Sequence, residues 1–170
     1  ALGVVEELAV SVAATNIQAF LGLMARAGSS RPDPSYAVLA GRGQYNALSI
    51  LQELSQHLDR NVLRLGIING DLCLPFLSFI YGEAQLKGKT AVVSLHRLRR
   101  NPDGKKVPSE IFLQRLAKIA IHETAHVIGL RHCRVPGCVM CFSPELDFLD
   151  ALSPGFCSEC ESGLMQRLQA

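Results

Sequence analysis

The 170-residue sequence has no tryptophan, and aromatic residues make up only 6% of it. It also lacks an uninterrupted apolar run of 18 residues, because Arg64 and Asp71 divide its most apolar region, residues 62–81. Since a membrane-spanning helix needs a run of about that length, no membrane span is predicted. Residues 1–10 contain no lysine or arginine, so a secretory signal is not indicated either.

A charge excess of one sign is also missing. The 17 lysines and arginines are nearly balanced by 15 acidic residues, which leaves a net charge of +2. Proteins dedicated to nucleic-acid binding usually carry a larger and clustered basic excess, so no nucleic-acid partner is predicted. A local group of basic residues is interpreted as a solvated loop, and its members are Arg97, Arg99, Arg100, Lys105 and Lys106.

The six cysteines are distributed unevenly. Cys73 stands alone, whereas the other five lie between residues 133 and 160, in pairs and beside histidines. This clustering favours metal ligation in a reducing compartment over a disulfide framework. We therefore predict a cytoplasmic protein.

Hydrophobic residues make up 48% of the chain, which is enough for the core of a single α/β domain. Helices are predicted over residues 3–21, 44–58 and 111–128, and strands over residues 22–28, 62–68, 76–83 and 90–95. The third helix is apolar on nearly every side, so it should be buried. After Gly129, glycine, proline and cysteine predominate, and little regular structure is expected there.

His122, Glu123 and His126 lie in the middle of this apolar helix. Histidines four residues apart project from one face on successive turns and can bind one zinc ion. Glu123 lies about 100° around the helix, where it can reach a water beside the metal without being a ligand. The HExxH pattern is typical of zinc peptidases in which the glutamate acts as general base, although it also occurs in ordinary helices with exposed polar residues.

Catalytic zinc usually has three protein ligands, so a further donor is needed. His132 would point away from the site if the helix continued to it. Gly129 lies between them and can end the helix in a left-handed turn. The spacing therefore predicts a site of three histidines, His122, His126 and His132, with a turn at Gly129.

The stretch HETAHVIGLRHC at residues 122–133, followed by CVM at 138–140 and CSEC at 157–160, closely resembles the archaemetzincins, a branch of the metzincin zinc metallopeptidases. Residues 42–47, 79–85 and 92–98 also resemble family blocks. The resemblance extends over about residues 36–160, and the 30 N-terminal residues match only loosely.

The resemblance implies a single compact metzincin-like domain over residues 1–170. Its twisted, mostly parallel sheet would lie over the buried active-site helix in an N-terminal subdomain, residues 1–129. A small irregular subdomain stapled by zinc would follow at residues 130–170. Met140 would form a turn beneath the catalytic zinc. The segment 76–83 would supply an edge strand that frames the cleft, with a plain core strand as the alternative.

Two sets of four cysteines could bind a second, structural zinc. Spacing alone favours two C-x-x-C pairs, Cys138 with Cys141 and Cys157 with Cys160. The family pattern instead supplies Cys133, Cys138, Cys157 and Cys160. We favour the family set, because in an extended stretch Cys141 would point away from its neighbour Met140. Cys141 and Cys73 would then be free, buried thiols.

The sequence therefore predicts a zinc-dependent metallopeptidase, of endopeptidase or aminopeptidase type, with two zinc ions and Glu123 as general base. We expect a monomer that acts on peptides or proteins. The alternative is a two-zinc binding protein of the same fold with little or no proteolytic activity. A zinc-ribbon interaction domain would explain the cysteines but not the buried Glu123.

Overall fold

The computed structural model describes residues 1–59 and 61–169. The helices in these residues are α1 (Glu7–Leu21), α2 (Ala47–Ser55), α3 (Ser109–Ile128), α4 (Leu146–Ala151) and α5 (Ser158–Leu168). The strands are β1 (Val38–Leu39), β2 (Gln44–Asn46), β3 (Arg64–Ile68), β4 (Leu72–Cys73), β5 (Gly82–Ala84) and β6 (Thr90–Ser94). None of the helices described combines the length and the apolar character needed to cross a membrane.

The strands form two small mixed sheets. In the first, β6 lies between β3, which is parallel to it, and β5, which is antiparallel and forms an edge. In the second, β2 lies between an antiparallel β1 and a parallel β4. The prediction of an α/β fold is confirmed, but the prediction of a mostly parallel sheet is wrong. Residues 40–43 and 85–89 are connections too short for the crossover that parallel neighbours require.

Strand β6 is buried on both faces of its sheet. Successive side chains of a strand point to opposite faces. Val93 accordingly packs in a cluster with residues of α1 and α3, whereas Val92 packs in a second cluster with residues of α2. The sheet therefore separates two helical layers, and α3 lies in the larger core.

Several element boundaries differ from the sequence-based prediction. The side chain of Asn46 accepts a hydrogen bond from the Leu48 N–H, so α2 begins after residue 46 and residues 44–46 form β2 instead. Residues 22–28 form no strand. The strand predicted over residues 76–83 is reduced to β5 and an isolated bridge from Ile80 to Leu72. Pro75 lies just before this region and cannot donate to a ladder.

The C-terminal region is less irregular than predicted, because α5 contains 11 residues. The apolar pattern of the sequence does not predict this helix, since Leu164 is the only residue that α5 buries. The larger core runs without a break from α3 through Val139 and Met140 to Leu149 and Leu164. The division at residue 129 into two subdomains stays a prediction.

The basic group at residues 97–106 is only partly the solvated loop that we predicted. Arg97 forms a bidentate ion pair with Asp71, with both N···O distances at 2.8 Å. Arg99 pairs with Glu6 at 2.6 Å and lies over the ring of Phe112. These arginines therefore tie a short 3₁₀ turn, Arg97–Arg99, to the rest of the domain.

Candidate metal centres

Helix α3 ends at Gly129, whose backbone is left-handed with φ +110°. The Gly129 N–H donates to the carbonyl oxygens of Ala125, at 3.1 Å, and His126, at 2.9 Å. The Leu130 N–H also bonds to Ala125, at 3.0 Å. Glycine takes this conformation without the penalty that a Cβ would add. The chain reverses here and brings His132 back beside His126.

The structure brings the three predicted histidines together. One ring nitrogen from each of His122, His126 and His132 lies within 4.8 Å of the other two. The Nε2 atoms of His122 and His126 are 2.9 Å apart. Nitrogens bound tetrahedrally to zinc at 2.0–2.1 Å would be separated by about 3.3 Å. The three rings therefore converge to nearly the spacing that a single zinc requires.

Hydrogen bonds fix which nitrogen of two of these rings carries the proton. The Nδ1 atom of His122 lies 2.7 Å from the carbonyl oxygen of Val139, and that of His126 lies 2.7 Å from the oxygen of Leu130. A carbonyl oxygen only accepts, so each Nδ1 must donate. In a neutral ring, Nε2 is then left with a bare lone pair. Two lone pairs facing each other at 2.9 Å repel unless a cation lies between them, and this donor set fits zinc.

Burial favours the neutral form of the three rings, although His132 is exposed. His122 is 8% exposed, and burial, followed by the nearby charge of His126, lowers its pKa to about 3. Burial also lowers the pKa values of His126 and His132. The neutral imidazole is the form that ligates metal, so the site is ready for a cation at neutral pH.

Glu123 lies beside the histidines, against the edge strand. Its side chain is 7% exposed and packs on the backbone of Gly82 in β5. A Cβ at residue 82 would lie only 2.7 Å from Cγ and 2.8 Å from Oε1 of Glu123. Burial, and secondarily the charge of Glu83, raises the pKa of Glu123 well above its ordinary value. The close approach of strand and helix therefore depends on glycine at position 82.

These residues line a cleft of about 830 Å³. Its lining comes from α3, from β5 with the residues before it, and from the chain between Val139 and Pro144 together with α4. The cleft falls in the size range of sites that enclose a ligand rather than a single ion.

Four cysteines form a second cluster. The sulfurs of Cys133, Cys138, Cys157 and Cys160 all lie within 4.8 Å of one another, and those of Cys133 and Cys157 are 3.7 Å apart. Thiolates bound tetrahedrally to zinc at 2.3 Å would be about 3.8 Å apart, so the set fits this metal. Cys73 lies apart from them, fully buried in β4.

Cys141 lies outside this cluster. Its thiol donates to the carbonyl oxygen of Val135 at 3.0 Å, and its side chain is partly exposed and lines the cleft instead of being buried as predicted. The Cys141 N–H bonds to the oxygen of Cys138 at 2.9 Å, so residues 138–141 form a turn. The extended conformation that we used to choose between the cysteine sets is therefore wrong, because Met140 lies within this turn and is fully buried.

Sequence reasoning missed the supporting residues. The carbonyl groups of Val139 and Leu130 orient the histidines, and main-chain groups leave no signature in side-chain patterns. Gly82 did leave a signal, since an isolated glycine inside a strand pattern often marks a close approach of another group. It lies in the segment 79–85 that we had matched to the family without assigning it a role.

The sequence profile described as Peptidase family M54 matches residues 35–166. The chain belongs to this family. Among relatives, it is 38% identical to "Archaemetzincin" of Methanopyrus kandleri over 80% of this chain and 74% of the relative. It is 34% identical to "Archaemetzincin" of Natronomonas pharaonis, over 80% of each chain. The resemblance drawn from the motif is thus confirmed.

Solved structures of related proteins have the same fold. The crystal structure of the archaemetzincin from Methanopyrus kandleri superposes with a TM-score of 0.81 at 31% identity, over 99% of this chain and 91% of that one. The archaemetzincin from Archaeoglobus fulgidus, solved with malonate, gives 0.81 at 32% identity, over 95% and 94%. A zinc-dependent peptidase from Methanocorpusculum labreanum gives 0.83 at 27%, over 94% and 95%.

Proposed function

We propose that this member of the M54 peptidases hydrolyses peptide bonds with zinc held by His122, His126 and His132, and with Glu123 as general base. The observation that carries the proposal is the pair of bare Nε2 atoms facing each other at 2.9 Å, beside a buried carboxylate in a peptide-sized cleft. The names of the related archaemetzincins and of the zinc-dependent peptidase support the choice of metal.

Zinc in such a site supplies Lewis acidity, which lowers the pKa of water and polarises a carbonyl group. Glu123 accepts the proton of the attacking water and returns it to the leaving amine. For this role its carboxylate must be ionised at the start of the reaction. A cation held by the neighbouring histidines favours the ionised form and opposes the effect of burial on its pKa.

The free edge of β5 provides the main-chain groups that a peptide substrate needs. Only β6 pairs with this strand among the residues described, so its other edge faces the cleft that it lines. An extended peptide can add to such an edge by main-chain hydrogen bonds. Because Gly82 belongs to β5 and contacts Glu123, a peptide bound there would pass next to the general base.

The cysteine cluster is proposed to bind a second zinc with a structural role. Four thiolates close the coordination shell and leave no open position for a reactant. Cys133 and Cys138 belong to the loop after α3, and Cys157 and Cys160 flank the start of α5. One metal would therefore hold α5 to the loop that also carries His132.

The proposal is tested with purified, zinc-loaded protein and a diverse peptide mixture, with cleavage read by mass spectrometry. We expect hydrolysis that a chelator abolishes and added zinc restores. Glu123→Gln should lose activity while keeping two zinc ions per chain, because the carboxylate moves a proton and does not bind metal. Peptides with free and acetylated N-termini distinguish aminopeptidase from endopeptidase action.

Absence of cleavage by the fully zinc-loaded protein would contradict the proposal and favour the inactive zinc-binding alternative. Loss of one zinc in Glu123→Gln would instead place Glu123 among the ligands. Both results are read by metal analysis alongside the peptide assay.

A further inference from the structure

Lys118 lies in the wall of the same cleft, one helical turn before His122 on α3. Residues four apart share a helix face and are separated by about 6 Å along the axis. Both side chains accordingly line the cleft, with Ile119 between them. Lys118 is only 7% exposed, which is unusual because lysine is rarely buried without a charged partner.

The ammonium group of Lys118 is held by main-chain oxygens only. Its Nζ donates to the carbonyl oxygens of Leu149, at 3.0 Å, and Asp150, at 2.9 Å, near the end of α4. An ammonium group has three N–H donors. In the described part of the chain, residues 1–59 and 61–169, no acceptor takes the third.

The carboxylate of Asp150 is paired with another cation. Both oxygens of Asp150 bind Arg115, at 2.7 and 2.6 Å, in a bidentate ion pair. Among residues 1–59 and 61–169, no carboxylate oxygen lies within 4.0 Å of Lys118 Nζ. Lys118 is therefore a buried ammonium group without a carboxylate in direct contact.

The third N–H of Lys118 is available to an acceptor of a molecule bound in the cleft that Lys118 lines. An anionic acceptor suits a buried ammonium group best, because a charged partner offsets the cost of burying the charge. In a site shielded from water, a hydrogen bond between an ammonium and a carboxylate is about twice as strong as a neutral one.

We propose that Lys118 binds a carboxylate of the substrate, so that the cleft prefers peptides with an acidic group close to the scissile bond. The inference rests on the proposed peptidase function of the same site. The carboxylate can belong to an Asp or Glu side chain or to the C-terminus of the peptide. Since an extended peptide rises about 3.3 Å per residue, we expect it within about three residues of the cleaved bond.

The competing interpretation is structural. The two carbonyl bonds tie α3 to α4, and a lysine could be retained for that tie alone. In that case removal of the lysine would lower stability and would reduce kcat/KM equally for acidic and neutral peptides. The ratio of kcat/KM for the acidic peptide to kcat/KM for the neutral peptide separates the interpretations, because a loss of stability does not alter this ratio.

The experiment scans a cleaved neutral peptide with Glu and with Gln at each position, and compares each peptide as a C-terminal acid and amide. We expect the wild-type protein to prefer Glu over Gln at one position by at least tenfold in kcat/KM, or the acid over the amide. Lys118→Met should reduce that ratio at least tenfold. Lys106→Met makes the same change at an exposed lysine outside the cleft and should leave the ratio unchanged.

A binding measurement tests this proposal without requiring the hydrolysis that the proposed function predicts. Fluorescein-labelled Glu and Gln peptides are titrated against zinc-loaded Glu123→Gln protein, with and without Lys118→Met, so no turnover is required. Tighter binding of the acidic peptide that depends on Lys118 supports the proposal even if hydrolysis is absent. Equal affinity of the two peptides, no binding of either, or no acidic preference in the wild type overturns it, whether or not Lys118→Met folds.

Discussion

Replacing Gly82 with alanine adds one methyl group against the carboxylate of Glu123. The new Cβ would lie 2.7 Å from Cγ, 2.8 Å from Oε1 and 2.9 Å from Cδ of Glu123, closer than Cβ atoms are found in proteins. Residue 82 is not in the left-handed region of backbone conformation, so alanine brings no strain of its own. The substitution therefore acts on the position of Glu123, the proposed general base.

The size of the effect follows from this geometry. Ordinary van der Waals contact begins at 3.4 Å, so the carboxylate or the strand must move by about 0.5–0.7 Å. A misplacement of about 1 Å can cost about 100-fold in rate, which corresponds to about 2.7 kcal/mol in the activation free energy. The histidines are not touched, so we expect kcat/KM to fall about 100-fold with two zinc ions still bound.

The assay compares kcat/KM, zinc content and the free energy of unfolding for wild type and Gly82→Ala. Gly28→Ala is the matched control, because it makes the same change where nothing lies within 4 Å. If folded, zinc-loaded Gly82→Ala protein had the same kcat/KM as the wild type, the reasoning would be refuted, since Glu123 would then act from a displaced position. Loss of zinc would also refute it, because the strand would be supporting the metal site.

Three further predictions concern metal, turn and charge. Cys133→Ser should reduce the zinc content from two ions per chain to one, whereas Cys141→Ser should keep both; the opposite result would return the site to the two C-x-x-C pairs. Gly129→Ala should lower the free energy of unfolding by about 1–2 kcal/mol in urea titrations, because φ is +110° there, and an unchanged value would contradict this account. Although burial opposes it, hydrogen bonding to Arg97 holds the pKa of Asp71 below its ordinary value. That contribution to stability is present above the unfolded-state pKa of about 4 and is lost as pH falls through the folded-state pKa. Asp71→Asn should therefore lower Tm at pH 7 and make Tm fall less steeply as the pH is lowered. The exposed control Asp103→Asn should show neither effect.

The sequence predicted the histidine arrangement well because its signals are local. The offsets of His122, His126, Gly129 and His132 follow from helix geometry and from the left-handed turn that glycine permits. The long apolar helix was predicted for the same reason, and Ser109–Ile128 agrees with residues 111–128. Where the structure depends on side-chain spacing within one element, the sequence is sufficient to predict it.

Long-range pairing was harder to predict. The antiparallel placement of β5 depends on β6, and the short connection between them decides it rather than the apolar pattern of either strand. Helix α5 escaped notice because it buries only Leu164. The lack of a carboxylate partner for Lys118 could not be seen in the sequence either, since Asp150 is 32 residues away and its pairing with Arg115 is a tertiary contact.

The most direct test of the central claim is a crystal structure of the zinc-loaded protein with anomalous data recorded at the zinc absorption edge. We predict two peaks. One should lie about 2.0–2.1 Å from a ring nitrogen of each of His122, His126 and His132, with the Glu123 carboxylate outside the coordination shell, and the other about 2.3 Å from four cysteine sulfurs. A zinc bound directly by Glu123, or a histidine site without a peak at full zinc loading, would contradict the central claim.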